Sequence, residues 1–114
     1  MSYTDTLAKT RANLRGLRKA IPDTFAGFVA LEQAASVEGA LDAKQKEFVA
    51  LGIAVALRCE DCILSHAAAL HRLGASRDEI GQVLGTAVQM AGGPGLMYAA
   101  KALAAFDEFA GTGD

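Results

Sequence analysis

The chain is poor in the residues that usually anchor a core. It has no tryptophan, five phenylalanines and two tyrosines in 114 residues. Packing must therefore come from many small aliphatic contacts, and these can continue across a subunit boundary. Long apolar runs are missing as well. The most apolar run, Phe48 to Leu57, is roughly half the ~20 residues that cross a bilayer, so no membrane association is expected. The amino terminus, MSYTDTLAKT, lacks a basic segment followed by an apolar one. No secretory signal is expected, and the cytoplasm is the expected location. Neither charge sign dominates: 11 basic residues stand against 13 acidic, a net charge of −2. A nucleic-acid binder shows a stronger basic footprint. Lys9, Arg11, Arg15, Arg18 and Lys19 read instead as a solvated helix face. There is no alternating strand pattern, internal repeat or low-complexity linker, and the length fits one domain, residues 1–114.

What the chain does have is helix-forming residues at helical spacing. Hydrophobic residues make up 52% of it, with alanine abundant. A first helix is predicted over 3–20, with Leu7, Leu14, Leu17 and Ile21 in register. Pro22 closes it, and Asp23 is the expected N-cap of a second helix over 24–38, ended by Gly39. Asp42 and Gln45 form a capping box before a third helix over about 43–57. From Phe48 to Leu57 every residue is apolar or glycine. A helix apolar all round is buried on all sides, so this one is expected at the centre of a bundle or in a subunit interface. Arg58 interrupts it, and a fourth helix follows over 60–73 and stops at Gly74. Ser76 and Glu79 make a second capping box, opening a fifth helix through about Ala91. Gly92-Gly93-Pro94-Gly95 breaks the pattern before a last helix over about 96–109, and the terminal GTGD is expected to fray. The fold class is all-α, with about six helices in a compact bundle.

The chemistry-bearing residues lie close together in Glu47 to His66, EFVALGIAVALRCEDCILSH. This stretch holds both cysteines, Cys59 and Cys62, in a C-x-x-C pair, and one of the two histidines, His66. Cys62 and His66 are four apart, one helical turn. If the third and fourth helices form an antiparallel hairpin, Glu47 and His66 sit at similar heights, roughly 12–15 Å from the turn at 1.5 Å per residue. A carboxylate then takes a hydrogen bond from one imidazole nitrogen and leaves the other facing Cys62. The attacking species in disulfide exchange is the thiolate, which a helix N-terminus and a nearby base both favour. The carboxylate would fix the tautomer and stabilise the imidazolium. Glu60 and Asp61 oppose this by repelling a thiolate.

Blander assignments compete with this one. Free cysteines are often small core residues. Cys59, Cys62, His66 and Glu47 are also ligand types that tetrahedral zinc accepts. Structural zinc in small domains usually draws on two well-separated ligand pairs, however, and this core needs no metal to fold. No bound metal or cofactor is therefore expected. His71 reads as a structural or solvated residue near a helix end. Met90 and Met97 read as core filler, and the glycine turn lacks the strand and spacing of a phosphate loop.

Glu47, eleven residues, then Cys59-x-x-Cys62-x-x-x-His66 resembles the active-site pattern of the alkylhydroperoxidase D-like branch of the carboxymuconolactone decarboxylase family. GASRDEI and the GGPG break before an Ala-rich helix resemble it too. The likeness covers roughly residues 40–110. It implies an all-α fold assembling as a homotrimer or homohexamer. It implies a dithiol that reduces hydroperoxides or passes electrons to a peroxiredoxin, with a lipoyl-type or other external dithiol as donor. Carried over, Cys59 and Cys62 form the redox pair and Glu47 and His66 the proton relay. Cys62, beside His66, is the expected attacking thiol; Cys59 would resolve and, nearer the loop, meet an external partner. One position departs from the pattern: Asp61 stands where a histidine often precedes the second cysteine. The decarboxylase branch, acting on a small lactone acid, generally lacks the cysteine pair. Lactone decarboxylation and a non-enzymatic oligomeric binding module remain the competing functions.

Overall fold

Side-chain caps set where most of the helices begin. The computed structural model, which describes residues 2–111, contains α1 (Tyr3–Ala20), α2 (Pro22–Ala35), α3 (Ala43–Ala56), α4 (Glu60–Arg72) and α5 (Arg77–Ala110). Ser2 Oγ accepts the Asp5 N–H at 3.0 Å and starts α1. Both expected capping boxes form. Asp42 accepts the Gln45 N–H at 2.8 Å while Gln45 Oε1 accepts the Asp42 N–H at 2.9 Å. Ser76 and Glu79 do the same at the start of α5, at 3.1 and 2.9 Å.

The second helix differs from its expected bounds at both ends. Pro22 is its first residue and Ile21 its N-cap, so Asp23 lies in the first turn rather than capping it. Proline is suited to that place because it has no N–H to leave unpaired. The helix ends at Ala35, where the Ser36 hydroxyl donates to the Glu32 carbonyl at 2.7 Å. Gly39 therefore falls in the loop beyond. The fraying expected for GTGD falls mainly on residues 112–114, outside the described residues.

The last two expected helices form one kinked element. Only Gly92 leaves helical geometry inside α5, at φ 72° and ψ −152°. A straight helix of 34 residues would run about 51 Å, whereas the molecule extends 39 Å along its longest principal axis. Instead Arg77 and Asp107, 30 residues apart, meet in a two-pronged ion pair at 2.9 and 3.2 Å. The chain thus reverses at Gly92, and Pro94 falls in the first turn of the returning arm. Both arms feed one core. Ile80, Leu84 and Ala87 come from the outgoing arm and Ala99, Ala102 and Phe106 from the return. They pack with Leu51, Ala54 and Val55 of α3 and Ile63, Ala67 and Leu70 of α4.

α1 is held on this body by Leu7, which joins Leu64, Ala68 and Ala105 in a second buried cluster. The Glu108 carboxylate accepts the Tyr3 and Thr4 N–H groups at 3.2 and 2.7 Å and the Thr4 hydroxyl at 2.7 Å. α2 buries no residue, and Phe28 and Leu31 are 62% and 64% exposed. α3 is also not enclosed on all sides within one chain. Its outer face leaves Val49, Ile53 and Leu57 exposed, Ile53 by 53%. An open apolar cavity of about 410 Å³ lies between that face and Val83, Ala87 and Met90 of α5. Met90 and Met97 are 78% and 68% exposed, so neither is core filler. Met90 lies just before the α5 reversal and Met97 just after it.

Candidate functional site

The site is built on the turn between α3 and α4. Leu57 caps α3, the Arg58 N–H donates to Val55 O at 3.1 Å, and the Cys59 N–H donates to Ala54 O at 3.1 Å. These two bonds make a Schellman turn, which needs a left-handed residue directly after the C-cap. Arg58 supplies it at φ 58° and is the only non-glycine residue with positive φ among the described residues. The turn hands Cys59 to α4 as its N-cap.

Cys59 and Cys62 are joined in a disulfide, with Cα atoms 5.2 Å apart. Cys59 Sγ also accepts the Cys62 backbone N–H at 3.3 Å. That contact places Cys59 sulfur on an unpaired donor at the positive end of α4, where a thiolate is favoured. Cys62 is the more exposed of the two; Cys59 is half-buried. Of the two, Cys62 is therefore the easier to reach from solvent.

His66 follows Cys62 by one turn of α4. Its Nδ1 lies 2.6 Å from Glu47 Oε2, across from α3. The carboxylate thus holds a proton on Nδ1 and leaves Nε2 as the free ring nitrogen. Glu47 and His66 are at matching heights, as the hairpin spacing predicts. Both line a pocket of about 280 Å³ with Lys46, Glu32, Ser36 and Leu73. Lys46 Nζ donates to Ala35 O and Val37 O at 2.8 and 2.6 Å, drawing the end of α2 over this pocket. Neither cysteine is in its lining.

The two acids between the cysteines have partners that no local sequence signal announces. Asp61 Oδ1 accepts the Thr10 hydroxyl of α1 at 2.8 Å. Glu60 Oε2 lies 3.9 Å from Lys101 Nζ of α5, and the same ammonium sits 5.3 Å from the centre of the Tyr98 ring. His71 is exposed and meets Phe106 edge-on, with ring centres 6.3 Å apart. Among the described residues, no group of three or more His, Cys, Asp or Glu is placed to hold a metal ion. No described helix is long and apolar enough to cross a membrane.

A kinked helical bundle with a vicinal cysteine pair at one helix N-terminus, and a Glu–His pair one turn deeper, defines a small class of helical proteins. The family model described as "Carboxymuconolactone decarboxylase family" matches residues 22–105, and the chain belongs to that family. Its cysteine pair is consistent with the alkylhydroperoxidase D-like branch. An uncharacterized protein of Cupriavidus necator is 39% identical over 101 residues, 89% of each chain. An uncharacterized protein of the cox locus of Paracoccus denitrificans is 34% identical, over 75% of this chain and 77% of that one. The crystal structure of the apo form of a carboxymuconolactone decarboxylase family protein from Legionella pneumophila superimposes with a TM-score of 0.91. It is 45% identical over 95% of this chain and 96% of its own. A family member from Thermotoga maritima, for which a role in an antioxidative response has been suggested, superimposes with a TM-score of 0.78. It is 28% identical over 90% of this chain and 88% of its own.

Proposed function

We propose that the protein is a thiol-disulfide oxidoreductase that reduces hydroperoxides through Cys59 and Cys62. The observation that carries this is the Cys59–Cys62 disulfide at the start of α4, with a Glu47-bonded His66 one turn along. In the reduced form His66 Nε2 takes the proton from the Cys62 thiol. The Cys62 thiolate attacks the peroxide, the O–O bond breaks, and the leaving alkoxide takes the proton back from His66. The products are an alcohol and a Cys62 sulfenic acid. The Cys59 thiolate, favoured by the Cys62 N–H and the helix end, then attacks the Cys62 sulfur. A disulfide forms, and hydroxide leaves as water after gaining a proton. An external dithiol, lipoyl-type or other, reduces the disulfide in two exchange steps and is itself oxidised. Exposed Cys62 is the sulfur it attacks, and Cys59 leaves as the stabilised thiolate. We also infer that the working form is a homotrimer or homohexamer, since α2 and the outer face of α3 are apolar and uncovered in one chain.

The test is to treat the reduced protein with one equivalent of hydroperoxide and follow each cysteine by mass spectrometry across pH 6–9. A Cys59–Cys62 disulfide that forms fast and is reversed by a dithiol supports the proposal. Two inert thiols over that range would overturn it. A second reading has its own observation: the Glu47–His66 pair lines a pocket that neither cysteine enters. Such a pair could perform acid–base chemistry on a small lactone acid without the thiols. Lactone turnover that survives replacement of both cysteines by serine would favour that reading.

A further inference from the structure

The sequence places two carboxylates, Glu60 and Asp61, inside the cysteine pair, where their charge opposes a thiolate. The structure ties each one to a different helix. Asp61 is bound by the Thr10 hydroxyl of α1 at 2.8 Å, and Glu60 faces the Lys101 ammonium of α5 at 3.9 Å. We infer that Thr10 and Lys101 are positioning residues that fix and offset these two charges, and so set the thiolate reactivity of Cys59 and Cys62. The inference rests on the redox reading of the pair.

Around the pair, α4 itself supplies Glu60, Asp61 and His66. From α3 come Glu47, already bound to His66, and Arg58 on the connecting turn. Among the contacts of the described residues, Lys101 of α5 and the neutral hydroxyl of Thr10 of α1 reach the two carboxylates. Lys101 is thus the one cation that the described ion pairs bring to the first turn of α4. Its place over the Tyr98 ring holds it there without a second carboxylate. Thr10 acts differently. Its hydroxyl donates to the Asp61 carboxylate, so the charge is anchored on the α1 side rather than free to swing over the adjacent Cys62. These contacts also give Asp61 a job, at the position where the resembling pattern often has histidine.

The experiment uses the reduced full-length protein. Alkylation of each cysteine is timed by mass spectrometry from pH 6 to 10, at low and high salt. Lys101→Met should slow the more acidic thiol about two- to fourfold at pH 7, the size of one unit charge acting through solvated surroundings, and Thr10→Val, which frees the Asp61 charge without changing the net charge, should slow it up to about twofold. The Lys101→Met loss should shrink at high salt, and Lys101→Arg should restore the wild-type profile. Asp61→Asn should react faster than wild type, and adding Thr10→Val to it should change nothing further. Circular dichroism establishes that each variant is folded. Reactive wild-type thiols with unchanged profiles in Thr10→Val and Lys101→Met overturn this inference alone. Inert wild-type thiols overturn the redox reading and this inference with it.

Discussion

Arg58 and Gly74 do the same backbone job with different side chains. Each is the left-handed residue of a Schellman turn, at φ 58° after α3 and φ 80° after α4. A side chain at that place costs about 1 kcal/mol or more relative to glycine. Gly74→Ala should therefore destabilise the protein by about 1 kcal/mol. Arg58→Gly should leave stability unchanged or raise it by up to about 1 kcal/mol, because glycine's looser unfolded chain offsets part of the gain. Urea midpoints at constant slope measure both. The stop at Gly74 is legible because glycine announces it; the left-handed turn at Arg58 is not, because arginine gives no such sign. The Glu47–His66 contact was legible for a geometric reason, since counting residues from the turn places both at one height. Thr10 and Lys101 were not, because Thr10 is 51 residues from Asp61 and nothing local in either segment refers to the other. If His66 is the base, His66→Ala should slow peroxide-driven disulfide formation roughly 10²-fold or more. Glu47→Gln, which keeps a hydrogen-bonding group but loses the charge, should slow it less. Stopped-flow thiol loss distinguishes these outcomes, and an unchanged rate in His66→Ala would remove the base role.

Among the elements, α5 shows how a glycine cluster becomes architecture. The GGPG stretch was legible as a break, but its consequence was not: a single residue turns the helix back so that both arms share the core with α3 and α4. The last glycine of that stretch serves packing instead. Gly95 is buried, and a Cβ there would lie 2.6 Å from the Ala91 Cβ. Neither atom belongs to a flexible side chain, so the two arms must move apart to admit it. Gly95→Ala should therefore cost about 1–3 kcal/mol, the usual range for overpacking. It should also loosen the Arg77–Asp107 pair that closes the same reversal. Thermal or urea unfolding gives the first effect, and hydrogen exchange along 77–110 the second. Capping chemistry explains which helix bounds were readable. Asp42–Gln45 and Ser76–Glu79 are complete boxes and fall where the sequence puts them. α2 has no side-chain cap at its start and a serine rather than a glycine at its end, so both its bounds shifted.

The whole molecule is pinned at its edges by two carboxylates and left apolar on one flank. The Thr4 hydroxyl and the Thr4 and Tyr3 N–H groups hold Glu108 below its ordinary pKa of 4.5. The Ser76 N–H, with Lys44 beside it, does the same for Glu79. Both folded values are depressed, so the stability they add is present above about pH 4.5 and fades as pH falls through the lower folded values. Melting temperature should drop in that acid window, and Glu108→Gln should flatten the drop while detaching α1 from the returning arm of α5. The all-round apolar pattern of α3 places it at the centre of the bundle or in a subunit interface. Leu51, Ala54 and Val55 are covered within one chain, whereas Val49, Ile53 and Leu57 are not. α2 offers a second uncovered apolar face with Phe28 and Leu31. Monomeric soluble proteins rarely leave apolar patches of this kind open to water. In a second copy, each face can find what it lacks: a helix for the groove and a groove for the helix. Light scattering should therefore give a mass several times that of one chain. Ile53→Glu and Phe28→Glu should each place a charge in the shared surface and reduce the mass toward one chain while α-helical content is kept. A wild-type protein that stays monomeric at high concentration would show that the flank is covered by something other than itself.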